Sequence, residues 1–347
     1  MELGTYTFAD VVPAAGESLP QASHRRLRQL LEEMELADRV GLQVFGVGEH
    51  HRADYAVSAP AVALAAGAAR TEQLRLTSAV TVLGSDDPVR VFQDFATLDL
   101  LSGGRAEIMA GRGSFIESFP LFGHDLDDYD ELFAEKLDLL LALRAEERVT
   151  WSGLHREALV DQPVYPRPLQ QPLPVWVAVG GNPRSVIRAG TLGLPLAIAI
   201  IGGQPVRFAP LAQLHRQAAE EAGHDPSTLA VSINAHGLVA DDDATAARAF
   251  AGPYREMIDK LGRERGWSPL TREQYEAALA PEGHLLVGSP QTVAAKILHH
   301  HRHFGHDRFL MQTSMGSMDH ADVLRSIELL GTAVAPLVRE GLAATRV

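Results

Sequence analysis

Eight short runs of apolar, β-branched and small residues recur along this chain, and nearly every interval between them carries an amphipathic helical pattern. The runs are Leu3–Phe8, Gln43–Gly48, Leu74–Leu83, Arg105–Gly111, Pro174–Gly180, Pro195–Ile201, Leu229–Val239 and Asp307–Met315. The helical intervals include His24–Val40, Ala59–Ala69, Val89–Leu101, Tyr129–Leu143, Arg184–Thr191, Ala209–Ala222, Thr292–His303 and Ala321–Leu337. In the first of these, Leu27, Leu30, Leu31, Met34, Ala37 and Val40 fall at spacings of three and four, one face of a helix. Strands that alternate with helices form βα units and a parallel sheet. Eight such units predict an α/β chain folded as a (β/α)8 TIM barrel. The rival, a doubly wound sheet, normally carries a Gly-x-Gly-x-x-Gly turn after its first strand. The segment after Phe8, ADVVPAAGESLP, has none.

The chain has 347 residues, about 100 more than the ~250 of a typical barrel. The surplus falls at Gly113–Asp128, at Val149–Gln171 and, after the seventh strand, at Asp241–Gly288. The last insertion is charged and helical, with Trp267 and Tyr275 inside it. No repeat or low-complexity linker divides the sequence, so one domain over residues 1–347 is expected. Hydrophobic residues make up 46%, enough for a large core. The net charge of −13 and the lack of a basic block argue against nucleic acid as a partner. There is no cysteine, which removes disulfides, iron–sulfur clusters, thiolate zinc sites and cysteine nucleophiles. The first residues lack the basic and apolar regions of a secretory signal. No apolar run reaches the ~18 residues of a membrane span. The expected compartment is the cytoplasm.

In barrels of this kind chemistry sits at the C-terminal strand ends. Here these read GEHH, LGSDDP, AGRGSF, VGGNPRS, IIGGQP and TSMGSM. Small residues at such ends let a flat ligand or a phosphate approach the backbone. VGGNPRS (Val179–Ser185) opens a helix, with Asn182 as N-cap and Pro183 at the first helical position. The N–H groups of Gly180, Gly181 and the first turn suit an anion, and Arg184 or Ser185 could add a side-chain contact. Arg112, between Gly111 and Gly113, is a second phosphate candidate. The competing reading is that the glycines only turn the chain and Arg112 pairs with a carboxylate.

Strand alternation divides VFGVGEHH. Phe45, Val47, Glu49 and His51 share one face, and Val44, Gly46, Gly48 and His50 share the other. Bulky Phe45 and Val47 suit the helix side, so the glycines leave space inside and His50 points into the barrel mouth. The two histidines then do not converge on one metal. An imidazole that titrates near neutrality suits proton transfer or oxyanion stabilisation; the competing reading is a hydrogen-bonded rim residue. The five histidines His299, His300, His301, His303 and His306 head toward the start of the last strand, the wrong barrel end, and read as a solvated helix face. Asp87 before Pro88 reads as an N-cap, not as a catalytic partner of Asp86. Gly288–Pro290 reads as a cap as well. No metal ligand set is assigned.

These motifs together resemble the bacterial-luciferase-like monooxygenases, FMN-dependent (β/α)8 barrels. The resemblance runs along essentially the whole chain, through GVGEHH, Leu76–Gly113, Pro174–Ile198 and Leu285–Ile297. Its most specific part is a Leu-Ser-Gly-Gly-Arg turn feeding a strand that ends in Gly-Arg-Gly. The resemblance implies that Arg112, with Gly113 beside it, binds the FMN phosphate. It implies that Val179, Gly180, Gly181, Asn182, Arg184 and Ser185 form the second phosphate segment. Ala79 and Val80 match a pair joined by a cis peptide under the flavin ring. His50 matches the family's acid–base histidine, with Glu49 and His51 completing the triplet. Two departures matter. Gly180 stands where luciferase has a glutamate, so the phosphate grip leans on backbone N–H groups. Gly111 replaces luciferase's reactive cysteine, so light emission is not implied.

The expected activity is an oxidoreductase, a monooxygenase that uses reduced FMN and O2 on a small organic substrate. A separate flavin reductase would supply the FMN, since the chain has no dinucleotide fingerprint, and the family implies a homodimer. Phe115–His124 and Asp241–Gly283 are the lid candidates. One alternative is F420-dependent hydride transfer on the same barrel, separable by titration with both cofactors. Another is a non-catalytic flavin binder. A metal-dependent hydrolase is a fourth, but the strand ends offer it only His50, Asp86 and Asp87.

Overall fold

A computed structural model describes residues 1–113 and 115–344. Its eight main strands are β1 (Glu2–Thr7), β2 (Val44–Val47), β3 (Arg75–Ser78), β4 (Ala106–Gly111), β5 (Val175–Val179), β6 (Leu196–Ile200), β7 (Val231–Val239) and β8 (Arg308–Gln312). Each pairs in parallel with the next, and β8 returns to β1 with Leu3 opposite Phe309. The sheet is a closed barrel, the (β/α)8 fold that the alternation predicts. The surrounding helices are α1 (Leu19–Arg39), α2 (Pro60–Ala68), α3 (Pro88–Ser102), α4 (Tyr129–Ala145), α5 (Pro183–Thr191), α6 (Ala209–Glu221), α7 (Asp243–Arg265), α8 (Arg272–Leu279), α9 (Pro290–Phe304) and α10 (His320–Leu329).

Alternation along the strands builds two cores. Leu3, Phe45, Leu76, Ile108, Val177, Ile198, Ile233 and Phe309 face outward and join the helices in the main cluster. Tyr6, Val44, Ala79, Met109, Trp176, Ala197 and Leu310 fill the barrel interior. Below them Arg308 bonds Glu107 at 2.7 Å and Glu2 at 2.7 Å, and its guanidinium lies 4.3 Å over Trp176. This buried ion cluster closes the N-terminal end of the barrel, so ligand access is left to the C-terminal end. The Leu-Ser-Gly-Gly-Arg turn is structural. Gly103 takes the left-handed cap of α3 at φ 70°. Arg105 then donates to the carbonyls of Ala68, Thr71 and Leu74.

Several boundaries differ from the sequence reading. The third strand stops at Ser78, and Thr81–Val82 pairs with β4 beyond the cis Ala79–Val80 bond. The surplus at 149–171 contains an antiparallel hairpin, Arg148–Trp151 with Leu159–Pro163. The surplus at 113–128 holds one helical turn, Ser118–Leu121, and a 3-10 turn, Leu126–Asp128; its Ser114 lies outside the described residues. The insertion after β7 is α7 and α8, whose Phe250, Tyr254 and Tyr275 form a satellite core with Leu285. The last helical interval is not continuous. A π turn at Leu330–Val334 precedes a helix over Ala335–Ala344, which accommodates Pro336, a residue with no N–H to donate. The histidine-rich segment is not all solvated. His300 and His306 are buried, against Phe304 and Phe309, and His303 is exposed. Among the described residues no helix is long and apolar enough to cross a membrane.

Candidate active site

The candidate site residues read from the sequence lie at or just after the ends of β2 to β5. As alternation requires, Gly46 and Gly48 face inward. A Cβ on Gly46 would meet Ala79 and Tyr6 at 2.9 Å, and one on Gly48 would meet the Phe8 ring at 2.4 Å. The room that Gly48 leaves is thus taken by Phe8, not by free space under His50. Gly111 does the same for Val80, whose side chain would lie 2.7 Å from an added Cβ. Val80 therefore projects over the end of β4, beside the cis Ala79–Val80 bond that the resemblance implies.

His50 is buried at 8% exposure in an aromatic cage. Its ring stacks on Tyr55 with centroids 4.2 Å apart and meets Phe8 at 4.5 Å and Phe115 at 5.2 Å. Its Nδ1 is shielded from solvent and has no hydrogen-bond partner. Burial, with smaller contributions from His51 and Arg52, pushes its pKa down to about 3. This corrects the expectation of titration near neutrality: the imidazole is neutral across the physiological range. A pH profile of ligand binding should show no His50 limb between pH 5 and 8, and a limb lost in His50→Phe would contradict the cage. Glu49 and His51 turn the other way. Glu49 accepts from the Val82 N–H at 2.8 Å and its other oxygen lies 2.9 Å from His51 Nε2. The pair ties the end of β2 to the segment after β3.

The phosphate candidates lie on neighbouring strands, β4 and β5, with Ala110 opposite Val177. Asn182 caps α5 by accepting from the Arg184 N–H at 2.9 Å, and Pro183 opens the helix. Val179 and Ser185 are buried, whereas Gly180 and Arg184 are exposed. A Cβ on Gly180 would meet nothing within 4 Å, so this strand end faces open space. Gly113 and Gly181 hold positive φ angles of 74° and 120°, which only glycine adopts easily. Arg112 is paired with Asp130, and its guanidinium lies 5.2 Å over Tyr129. The carboxylate pairing set against phosphate binding in the sequence is therefore the one present here. Asp130 is 61% exposed, and such a pair is worth little. Arg188 of α5 shares the neighbourhood. Burial lowers its pKa first, and the nearby Arg112 charge lowers it further.

One crevice runs from His50 through Glu49 and Val82 to Gly113, Phe115 and Glu117. Above it Arg52 joins three segments. It bonds Glu264 of α7 at 2.9 Å and pairs with Glu117 at 3.0 Å, and its guanidinium lies 4.4 Å over Phe115. Lys260 adds a contact to Asp54 at 2.5 Å. Both sequence-derived lid candidates thus meet at Arg52. Arg52→Ala should speed amide hydrogen exchange in residues 116–121 and 256–264 about tenfold. Unchanged protection there would show that the clasp holds nothing.

Sequence reasoning missed His236. It shares the inward face of β7 with Asn234, and strand alternation contains that signal. It is buried, its Nδ1 has no partner, and burial pushes its pKa down to about 3, helped by His284. Tyr254 of α7 lies over it at 6.0 Å and is 3.1 Å from His284 Nε2. Tyr55 was also missed, and Phe115, read only as the start of a lid segment, belongs to the His50 cage; both contacts depend on long-range packing.

Residues 1–307 match the profile of the family described as luciferase-like monooxygenase. Among solved structures, this chain is similar to monooxygenase RslO1 from Streptomyces bottropensis, with 25% identity, 97% of this chain and 99% of that one covered, and a TM-score of 0.84. It also resembles the oxygenating constituent of 3,6-diketocamphane monooxygenase of Pseudomonas putida, solved in complex with FMN, at 20% identity, with 97% and 98% covered and a TM-score of 0.77. A third relative is the F420-dependent glucose-6-phosphate dehydrogenase of Amycolatopsis mediterranei, 34% identical over 163 residues, which are 44% of this chain and 48% of that protein. The match begins at β1 and reaches the residue before β8, on a barrel of the same architecture. This chain belongs to the luciferase-like monooxygenase family.

Proposed function

We propose that this chain is a cytoplasmic, single-domain FMN-dependent monooxygenase that works as a homodimer, with reduced flavin supplied by a separate reductase. The observation that carries the reading is the buried, neutral His50, with an unpartnered Nδ1, which lines a crevice that reaches Gly113 beside Arg112. The residues fit the cofactor. Arg112, Gly113 and the turn of Val179, Gly180, Gly181, Asn182, Arg184 and Ser185 would hold the phosphate, with the N-terminus of α5 and Arg188 adding positive potential. Ala79 and Val80 would lie against the ring. Reduced FMN supplies two electrons, so that one atom of O2 enters the substrate and the other leaves as water. His50 would hold or pass a proton at Nδ1, Phe8 and Tyr55 would fix its ring, and Phe115 with the Arg52 clasp would exclude water.

On this reading Arg112→Ala weakens FMN binding roughly ten- to a hundredfold, the equivalent of a lost charge-assisted hydrogen bond. Riboflavin, which lacks the phosphate, should bind the variant and the parent alike. Equal FMN affinity in both proteins would remove Arg112 from the site. A second reading is F420-dependent hydride transfer, favoured by the relative of Amycolatopsis mediterranei that bears that name.

A further inference from the structure

We propose that Asp128, Glu131 and His155 form a binding site for a first-row divalent metal ion of the zinc class, on a different set of side chains from the flavin candidates. One donor atom from each residue lies within 4.8 Å of the others. The three come from two separate segments, the start of α4 and the loop of the 148–163 hairpin.

Asp128 occupies the N-cap position of α4, where an aspartate normally accepts a helix N–H. Its side chain makes no cap bond, and its Oδ2 lies 3.7 Å from His155 Nδ1 instead. Glu131, three residues on, shares that helix face, with Oε2 3.5 Å from His155 Nε2. Nε2 is shielded from solvent and has no hydrogen-bond partner. Both separations are too long for good hydrogen bonds. Only one ring nitrogen can ligate: Nε2, 3.5 Å from Glu131, is at the spacing of ligand atoms that share one ion at bond lengths of ~2.1 Å, and Asp128 would have to turn from Nδ1 toward it.

Glu135, one turn further along α4, accepts from the Leu154 N–H at 2.6 Å and the main-chain N–H of His155 at 3.0 Å. These bonds fix the loop that carries His155 against α4, although they do not touch its ring. One imidazole with two carboxylates favours a borderline ion such as Zn2+ or Co2+ over Ca2+ or Mg2+, which prefer all-oxygen sets. Glu131 is 72% exposed, so the remaining coordination positions open to water. His299 and His303, with rings 4.8 Å apart on α9, are the other pair that could attract such an ion, and they must be separated in any test.

The test is a Zn2+ titration by calorimetry on chelator-treated, untagged full-length protein, with Co2+ absorption as a second probe. One ion per chain should bind at micromolar concentration. His155→Ala and Glu131→Gln should each weaken binding at least about tenfold, and the double variant His299→Ala/His303→Ala should not. Both ligand side chains are at or near the surface, so the variants should fold. No saturable binding below ~1 mM, unchanged affinity in His155→Ala, or loss only in the His299/His303 variant would each overturn the site. FMN binding is not part of this test, so its outcome stands apart from the flavin reading.

Discussion

His50→Phe is expected to slow the return of bound reduced FMN to the oxidised state in air by about 10²-fold, while FMN affinity stays within about threefold. The substitution keeps an aromatic ring against Tyr55 and Phe8 and removes the imidazole nitrogens. A positioned proton-handling group typically contributes 10²–10⁴ in rate, and the lower end applies to a histidine held neutral. Stopped-flow mixing of the reduced complex with O2 reads the effect directly. His50 itself makes no hydrogen bond to Arg112 or to the 179–185 turn, so affinity should be spared. An unchanged rate would remove His50 from the chemistry and favour a protein that binds flavin without using it. Loss of affinity with an unchanged rate would make His50 a binding residue only.

The second large effect is on acid stability. Burial pushes His50, His236 and His300 down to about 3, His284 to about 4, and His306 well below its ordinary value. Each is neutral in the folded chain and takes up a proton on unfolding at any pH between its folded value and the unfolded ~6.5. Their contribution is complete above ~6.5 and is lost as pH falls toward about 3. Asp10 and Asp86 act in the opposite sense. Burial raises each to about 6, so each releases a proton on unfolding between ~3.9 and about 6. Near pH 5, five histidines against two aspartates leave about three protons taken up. That corresponds to ~4 kcal/mol of stability lost per pH unit. Urea midpoints at pH 6 and pH 5 measure it. A change below ~1 kcal/mol between them would contradict the burial of these histidines.

The architecture was legible in the sequence because each βα unit states its period locally. Seven of the eight strands lie within the runs read from alternation and β1 begins one residue before its run, and Asp87, Asn182 and Ser289 cap α3, α5 and α9 as their positions before proline indicate. The hairpin at 148–163 was not legible. Its strands are short, mostly exposed and flanked by glycine and proline, so neither period is sustained. The side of His50 followed from alternation, but its ionisation did not. That depends on Tyr55 and Phe115, which only the closed structure brings to its ring. The Arg52 clasp joins residues 52, 117 and 264, and no local pattern links them. His300 was misread because a run of histidines and arginine suggests a wet surface. One helix turn instead buries its ring against Phe304 and Phe309.

The central claim is that this member of the family takes reduced FMN at the His50 crevice. Parallel anaerobic titrations of the intact protein with reduced FMN and reduced F420 test it most directly. The account predicts that reduced FMN binds at micromolar concentration, at least about tenfold tighter than F420, and that Arg112→Ala weakens the binding of FMN. Tighter binding of F420, or FMN affinity unchanged in Arg112→Ala, would contradict it.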